Sequence, residues 1–134
     1  MIERTFVAIK PDAVKRKLAG KIIQRFEDKG FEIVELRMLL LDDELLEQYY
    51  GEHKGKDFYN DLISFMKSGR IIAMVVEGND AVKNVRTMVG ATKPWEASMG
   101  TIRGDYGLST PHNVIHASDS LESAKREINL FFKD

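Results

Sequence analysis

His116 stands in the segment Asn113-Val114-Ile115-His116-Ala117-Ser118-Asp119, at the end of a short β-branched run. An imidazole with its ordinary pKa of ~6.5 is largely neutral at pH 7 and can act as a nucleophile. A phosphoryl group moving onto it needs positive charge around the equatorial oxygens. The chain offers Lys10 after its first apolar run, Arg86 in an amphipathic stretch and Arg103 in a glycine-rich segment. Arginine grips phosphate with a planar fork and stays protonated, whereas lysine supplies a point charge. These residue types permit phosphate chemistry but do not single it out. A histidine at a strand end is more often structural, and a cation on a helix is more often solvated. Arg103-Gly104-Asp105 reads as a loop turn before it reads as an adhesion tripeptide.

The usual phosphate cradles, G-x-x-x-x-G-K-[ST] and G-x-G-x-x-G, do not occur. Any phosphate must therefore be held by side chains. There is also no H-E-x-x-H, no Cys/His metal spacing and no G-x-S-x-G elbow.

The elements that must position these groups follow from periodicity. Thr5–Lys10 is a β-branched and aromatic run that stops at Pro11, so it reads as a buried strand. Ala19–Lys29 carries Ile22, Ile23 and Phe26 at helical spacing, with Gly30 as the stop. Phe31–Leu41 reads as a second strand whose alternation changes phase at Val34. Asp42 or Asp43 can cap a helix to about Tyr50, and Asp57–Lys67 reads as another helix. Arg70–Glu77 is apolar almost throughout, as a central strand would be. Asn79 or Asp80 can cap a helix that carries Val82, Val85 and Met88 and stops at Gly90. A long loop follows with Pro94, Gly100, Gly104, Gly107 and Pro111, and long loops in compact domains are usually functional. Val114–His116 is a short strand, and Asp119 or Ser120 caps a last helix through Leu130 with Leu121, Ala124, Ile128 and Phe131 as its apolar side. This order predicts an α+β fold: a ferredoxin-like βαββαβ sandwich in which an antiparallel four-stranded sheet carries helices on one face.

The chain has 134 residues, a formal net charge of -1 and no cysteine. That length suits one domain spanning residues 1–134, and 43% hydrophobic with 31% charged residues suits a globular chain. A near-neutral charge argues against a broad basic nucleic-acid surface, so no specific nucleic acid is expected. No apolar stretch approaches the ~18 residues of a membrane span, and no signal-like h-region is seen. The expected location is the cytoplasm.

Taken together, the segments resemble the nucleoside diphosphate kinases along the whole chain. The carriers are E-R-T-F-V-A-I-K-P-D (Glu3 to Asp12), F-E-D-K-G-F (Phe26 to Phe31), K-D-F-Y (Lys56 to Tyr59) and S-G-R-I-I-A-M-V-V-E-G (Ser68 to Gly78). G-T-I-R-G-D (Gly100 to Asp105), N-V-I-H-A-S-D-S (Asn113 to Ser120) and E-S-A-K-R-E-I (Glu122 to Ile128) complete them, the histidine segment being the most specific. The resemblance implies transfer of the γ-phosphate from a nucleoside triphosphate to a nucleoside diphosphate through phosphohistidine at His116. It implies that Glu127 fixes the histidine tautomer with Ser118 beside the pair. It assigns phosphate contacts to Arg86, Arg103, Thr92 and Tyr50, with His53 joining them in some members. Lys10 and Asn113 would reach the ribose hydroxyls, Phe58 would stack on the base and Leu62 would pack near it. Stacking tolerates any base, which suits broad nucleoside specificity. Mg²⁺ would arrive on the nucleotide phosphates rather than in a protein cage, with Asp119 near its water shell. The family implies a homo-hexamer or homo-tetramer built from a common dimer; the hexamer is the expectation here, on Pro94. Ala13 and Ala117 stand where glycines are common in the family, Pro111-His112 where Gly-Arg is usual, and Met99 where proline is frequent.

Two other readings bear on the same residues. Lys29-Gly30-Phe31-Glu32-Ile33-Val34 partly matches an RNA-recognition segment, but Glu32 and Ile33 break the pattern and the run lies on the second strand. A catalytically silent nucleotide-binding scaffold would have lost the nucleophile or its cations, and all are present here.

Overall fold

The computed structural model describes residues 1–51, 54–110 and 112–132. Four strands, β1 (Ile2–Ile9), β2 (Glu32–Leu39), β3 (Ile71–Asn79) and β4 (Ile115–Ala117), form one antiparallel sheet in the order β2-β3-β1-β4. Between them run α1 (Pro11–Lys15), α2 (Ala19–Lys29), α3 (Asp43–Tyr50), α4 (Tyr59–Lys67), α5 (Ala81–Val89), α6 (Ile102–Tyr106) and α7 (Leu121–Phe131). The α+β fold with an antiparallel four-stranded sheet is as the sequence predicts. The helices, however, cover both faces rather than one.

Alternation along the central strands explains why. Successive side chains of a strand point to opposite faces. Val7 and Ile9 join Ile72, Met74 and Val76 in a core closed by Ile22 and Phe26 of α2 and Val85 and Val89 of α5. Phe6 and Ala8 join Ile71 and Ala73 in a second core closed by Leu46 and Tyr49 of α3, Met66 of α4 and Phe131 of α7. Burial on both faces is why the β1 and β3 runs read as almost continuously apolar. β2 lies at the edge and is largely exposed. Its change of phase at Val34 is a register shift between Ile33 and Glu35, the mark of a β-bulge. Phe31, in the segment that partly matches an RNA-recognition motif, is buried in the first core.

Local capping decides where helices begin. The Asp42 carboxylate accepts from the Leu45 amide at the start of α3, and Ser120 Oγ accepts from the Ser123 amide at the start of α7. Helix α5 departs from expectation. Asp80 is in a left-handed conformation and its side chain caps nothing; Glu3 of β1 reaches across to accept from the Val82 amide at 3.2 Å. The expected long loop also contains structure: a 3-10 turn at Pro94–Glu96, then α6, whose Thr101 Oγ1 accepts from the Gly104 amide. On α7 the buried face is Ala124, Glu127 and Phe131, while Leu121 is exposed. A carboxylate therefore takes a place the periodicity gave to an apolar residue.

Candidate active site

β4 places His116 opposite Ala8 on β1, so its ring shares the face of the second core. Tyr49 packs edge-on against it, with ring centroids 5.4 Å apart at 84°, and Phe6 lies 6.1 Å away. Ser118 follows two residues later on the same face. Glu127 of α7 meets both: His116 Nε2 lies 2.8 Å from Glu127 Oε1, and Ser118 Oγ donates to that oxygen at 2.7 Å. The carboxylate is 4% exposed, so its orientation is fixed by these bonds and by the nearby Arg126. A carboxylate accepts, so the Nε2 position carries the ring proton and Nδ1 keeps its lone pair.

Positive charge gathers around the strand. Arg103 is 4% exposed; its two terminal nitrogens donate to the carbonyls of Ile115 at 2.7 Å and Gly90 at 3.2 Å. Arg86 of α5 donates to the Ala117 carbonyl at 3.0 Å. Lys10 follows β1, and its Nζ donates to Asn113 Oδ1 at 2.8 Å; Asn113 Nδ2 in turn donates to the Thr92 carbonyl at 3.0 Å. Burial, reinforced by Arg103, pushes the Lys10 ammonium down to about 8. Burial and Arg86 push the Arg103 guanidinium down to about 10, so it stays cationic at neutral pH. Burial is also the main reason the His116 imidazolium is disfavoured; Glu127 opposes that, while Lys10 and Arg103 add to it. The outcome is a neutral, oriented imidazole among fixed cations.

A cleft of about 610 Å³ opens over His116, with Tyr50, Arg86, Asp119, Ser123 and Arg126 on its walls. Asp119 is exposed there, and the Ser123 hydroxyl is the main reason its carboxyl stays below the ordinary range. Of the residues singled out from sequence, His116, Glu127 and Ser118 are in direct contact. Lys10, Asn113 and Thr92 form a second connected set, and Arg86 and Arg103 bracket β4. Phe58, half exposed just before α4, and Leu62, packed on the second core, do not line this cleft. His53 lies outside the described residues. Ala13 and Ala117, the two substituted glycines, are fully buried in the first core. Sequence reasoning gave no role to Tyr49, Arg126 or Asp12. Tyr49 had a signal: Leu46 and Tyr49 share one face of α3 at i, i+3 spacing.

The glycine beside Arg103 yields a prediction. Gly90 has φ +91°, and a Cβ there would sit 2.5 Å from Thr101 Oγ1, the cap of α6. Gly90→Ala is therefore expected to destabilise the protein by about 1–3 kcal/mol, through backbone strain and a forced shift of the cap. Urea unfolding of the variant measures it; an unchanged midpoint would contradict the packing described.

The sequence model of the family described as "Nucleoside diphosphate kinase" matches residues 3–134. A nucleoside diphosphate kinase of Methanococcus maripaludis is 68% identical over 131 residues, covering 98% of each chain. Its counterpart from Methanocaldococcus jannaschii is 68% identical over 134 residues, covering 100% of this chain and 96% of that one. The solved structure of the Halobacterium salinarum nucleoside diphosphate kinase in complex with CDP superposes with a TM-score of 0.96 at 48% identity, covering 100% of this chain and 90% of that one. The apo enzyme from Encephalitozoon cuniculi gives 0.95 at 47%, covering 98% and 90%. A match of this extent, on a chain that holds an oriented histidine among cations, places the protein in the nucleoside diphosphate kinase family of phosphotransferases.

Proposed function

We propose that the chain exchanges a phosphoryl group between nucleotides by a ping-pong route through His116. The observation that carries this reading is the Nε2 hydrogen bond to Glu127, which leaves Nδ1 as the nucleophilic atom; Arg86 lines the same cleft, and the charges of Lys10 and Arg103 act on the ring. The Nδ1 lone pair forms the N–P bond as the bond from the γ-phosphorus to the bridging oxygen breaks. The nucleoside diphosphate leaves with that electron pair, and a second diphosphate reverses the step. Arg86 and Arg103 are already tied to backbone carbonyls, so their charge is in place before the transition state forms. Glu127 stabilises the positive charge that phosphorylation puts on the ring, and Ser118 holds Glu127 in position.

Mg²⁺ bound to the incoming triphosphate would neutralise charge on its β- and γ-oxygens. Among the described residues no group of three or more His, Cys, Asp and Glu is arranged to hold a metal; Asp119, on the cleft wall together with Glu122, is our candidate to meet the ion's water shell. Thr92 and Tyr50 are proposed phosphate contacts, Lys10 and Asn113 ribose contacts, and Phe58 and Leu62 the base platform. His53 is a proposed phosphate contact on sequence alone. We propose a homo-hexamer built from dimers; the exposed Leu36 and Met38 on edge strand β2 support an apolar contact between copies. The proposed location is the cytoplasm, with the lack of cysteine in favour of a reducing compartment; no helix among the described residues is long and apolar enough to cross a membrane.

Initial rates at several fixed concentrations of the second nucleotide test the route. Parallel double-reciprocal lines are expected; intersecting lines would mean direct transfer in a ternary complex. The pH dependence of kcat/KM follows from the free enzyme's groups. It is expected to rise through a pKa below the ordinary histidine value as His116 loses its proton, and to fall above pH of about 8 as Lys10 loses its charge. Lys10→Arg should move the alkaline limb upward, since arginine stays protonated. An alkaline limb unmoved by that change would remove Lys10 from the account.

A further inference from the structure

Val114, two residues before His116, has φ +66°. A β-branched residue rarely adopts this left-handed region. The Ile115 amide donates to the Asn113 carbonyl at 2.8 Å, so Val114 is the centre of a γ-turn, in its rarer and more strained hand. Such strain persists only where surrounding contacts impose it.

The imposing contacts come from one short segment. The Lys10 amide donates to the Val114 carbonyl at 2.8 Å, and the Val114 amide donates to Asp12 Oδ2 at 3.2 Å. Both polar groups of the strained peptide are thus held by Lys10 and Asp12, with Pro11 between them at the start of α1. Pro11 fixes its own φ, which stiffens the holder. Asp12 is 8% exposed, and burial pushes its carboxyl above the ordinary range. A buried carboxylate tolerated at that cost calls for a use.

The turn has two consequences for the site. It reverses the chain so that Asn113 Oδ1 accepts from Lys10 Nζ, and it delivers Ile115 into register with Ile9, which sets His116 opposite Ala8. We propose that Asp12 is a positioning residue for phosphoryl transfer, holding the strained Val114 turn that brings Asn113 and His116 into the site together. The proposal rests on His116 as the nucleophile. Without the Asp12 oxygen the Val114 amide is buried and unpaired, and the residue relaxes toward extended backbone. Both neighbours then rotate away. Displacements on the scale of an ångström cost about 10²-fold in rate.

The test compares three variants of the full-length chain, each measured well below its melting temperature. Asp12→Ala is expected to slow His116 phosphorylation by roughly 10–100-fold. Asp12→Asn keeps a carbonyl oxygen that accepts from Val114, so its rate should stay within about threefold of the parent. Adding Val114→Gly to Asp12→Ala should recover about tenfold, because glycine takes positive φ without cost. In the nucleotide-free protein, hydrogen exchange at the Val114 amide should accelerate in Asp12→Ala and not in Asp12→Asn. Parent-like phosphorylation in Asp12→Ala overturns the proposal. So does an Asp12→Asn variant as slow as Asp12→Ala, which would show that the charge and not the bond matters. Failure of the parent protein to take up phosphate at all would instead remove the nucleophile, with the exchange pattern at Val114 intact, so the two failures are told apart.

Discussion

His116→Ala is expected to abolish phosphoryl transfer, lowering it by about 10⁴-fold or more, while the fold and nucleotide binding survive. Among the described residues of the cleft, His116 is the histidine, and the Ser120 and Ser123 hydroxyls on its wall are engaged in capping α7 and bonding Asp119. Tyr49 and Tyr50 line the cleft, but burial raises the pKa of both phenols, so neither supplies a phenolate at neutral pH. Ser118 already donates to Glu127 and lies behind the histidine. Folding should tolerate the change because β4 is anchored by its backbone: Ala8 pairs with residue 116, and the carbonyls of Ile115 and Ala117 are held by arginines. Glu127 keeps Ser118 and Arg126 as partners. ATP-to-GDP exchange, thermal melting and ATP titration separate these effects. Activity within tenfold of the parent would reject the nucleophile assignment.

Arg103→Ala is expected to cost about 10²-fold or more in turnover. The guanidinium is not a mobile surface group. It spans the carbonyls of Gly90 and Ile115, fixing the loop after α5 to the strand that carries His116. The substitution removes charge that is already in place and also leaves two carbonyls without their donor, so some loss of stability accompanies the loss of rate. Arg103→Lys distinguishes the two. It restores a charge but not the fork, so it should regain part of the stability and only a minor part of the rate. Single-turnover phosphorylation well below the melting temperature is the measurement, and near-parent rates in Arg103→Ala would remove the residue from the transition state.

Much of this site was legible in the sequence, for physical reasons that differ by residue. Strands buried on both faces announce themselves as continuous apolar runs, so β1 and β3 were readable, and with them the place of Lys10 at the end of β1. Helix α3 carried its own start signal in Asp42, and α2 its stop in Gly30. The segment around Arg103 was read as loop because Gly100, Gly104 and Gly107 hide a five-residue helix whose cap is the Thr101 side chain. A charge on a helix is usually solvated, so only the spacing of Glu127 from Ala124 and Phe131 marks it as part of the buried face. Asp80 stands at the N-cap of α5, within the expected pair, but the side-chain acceptor at that end is Glu3 from a distant strand, a contact no local pattern encodes. The same holds for Asp12, whose partner Val114 is 102 residues away. The helices α3, α4 and α7 are legible as helices, but nothing in their periodicity says that they pack on the second face of the sheet.

In the proposed route phosphate resides on His116 between two nucleotides. Incubating the protein with Mg²⁺ and ATP labelled at the γ-phosphate, removing nucleotide and mapping the label tests it most directly. An acid-labile phosphate on His116 that passes to added GDP is expected. No label on the parent protein, or equal labelling of His116→Ala, would contradict it.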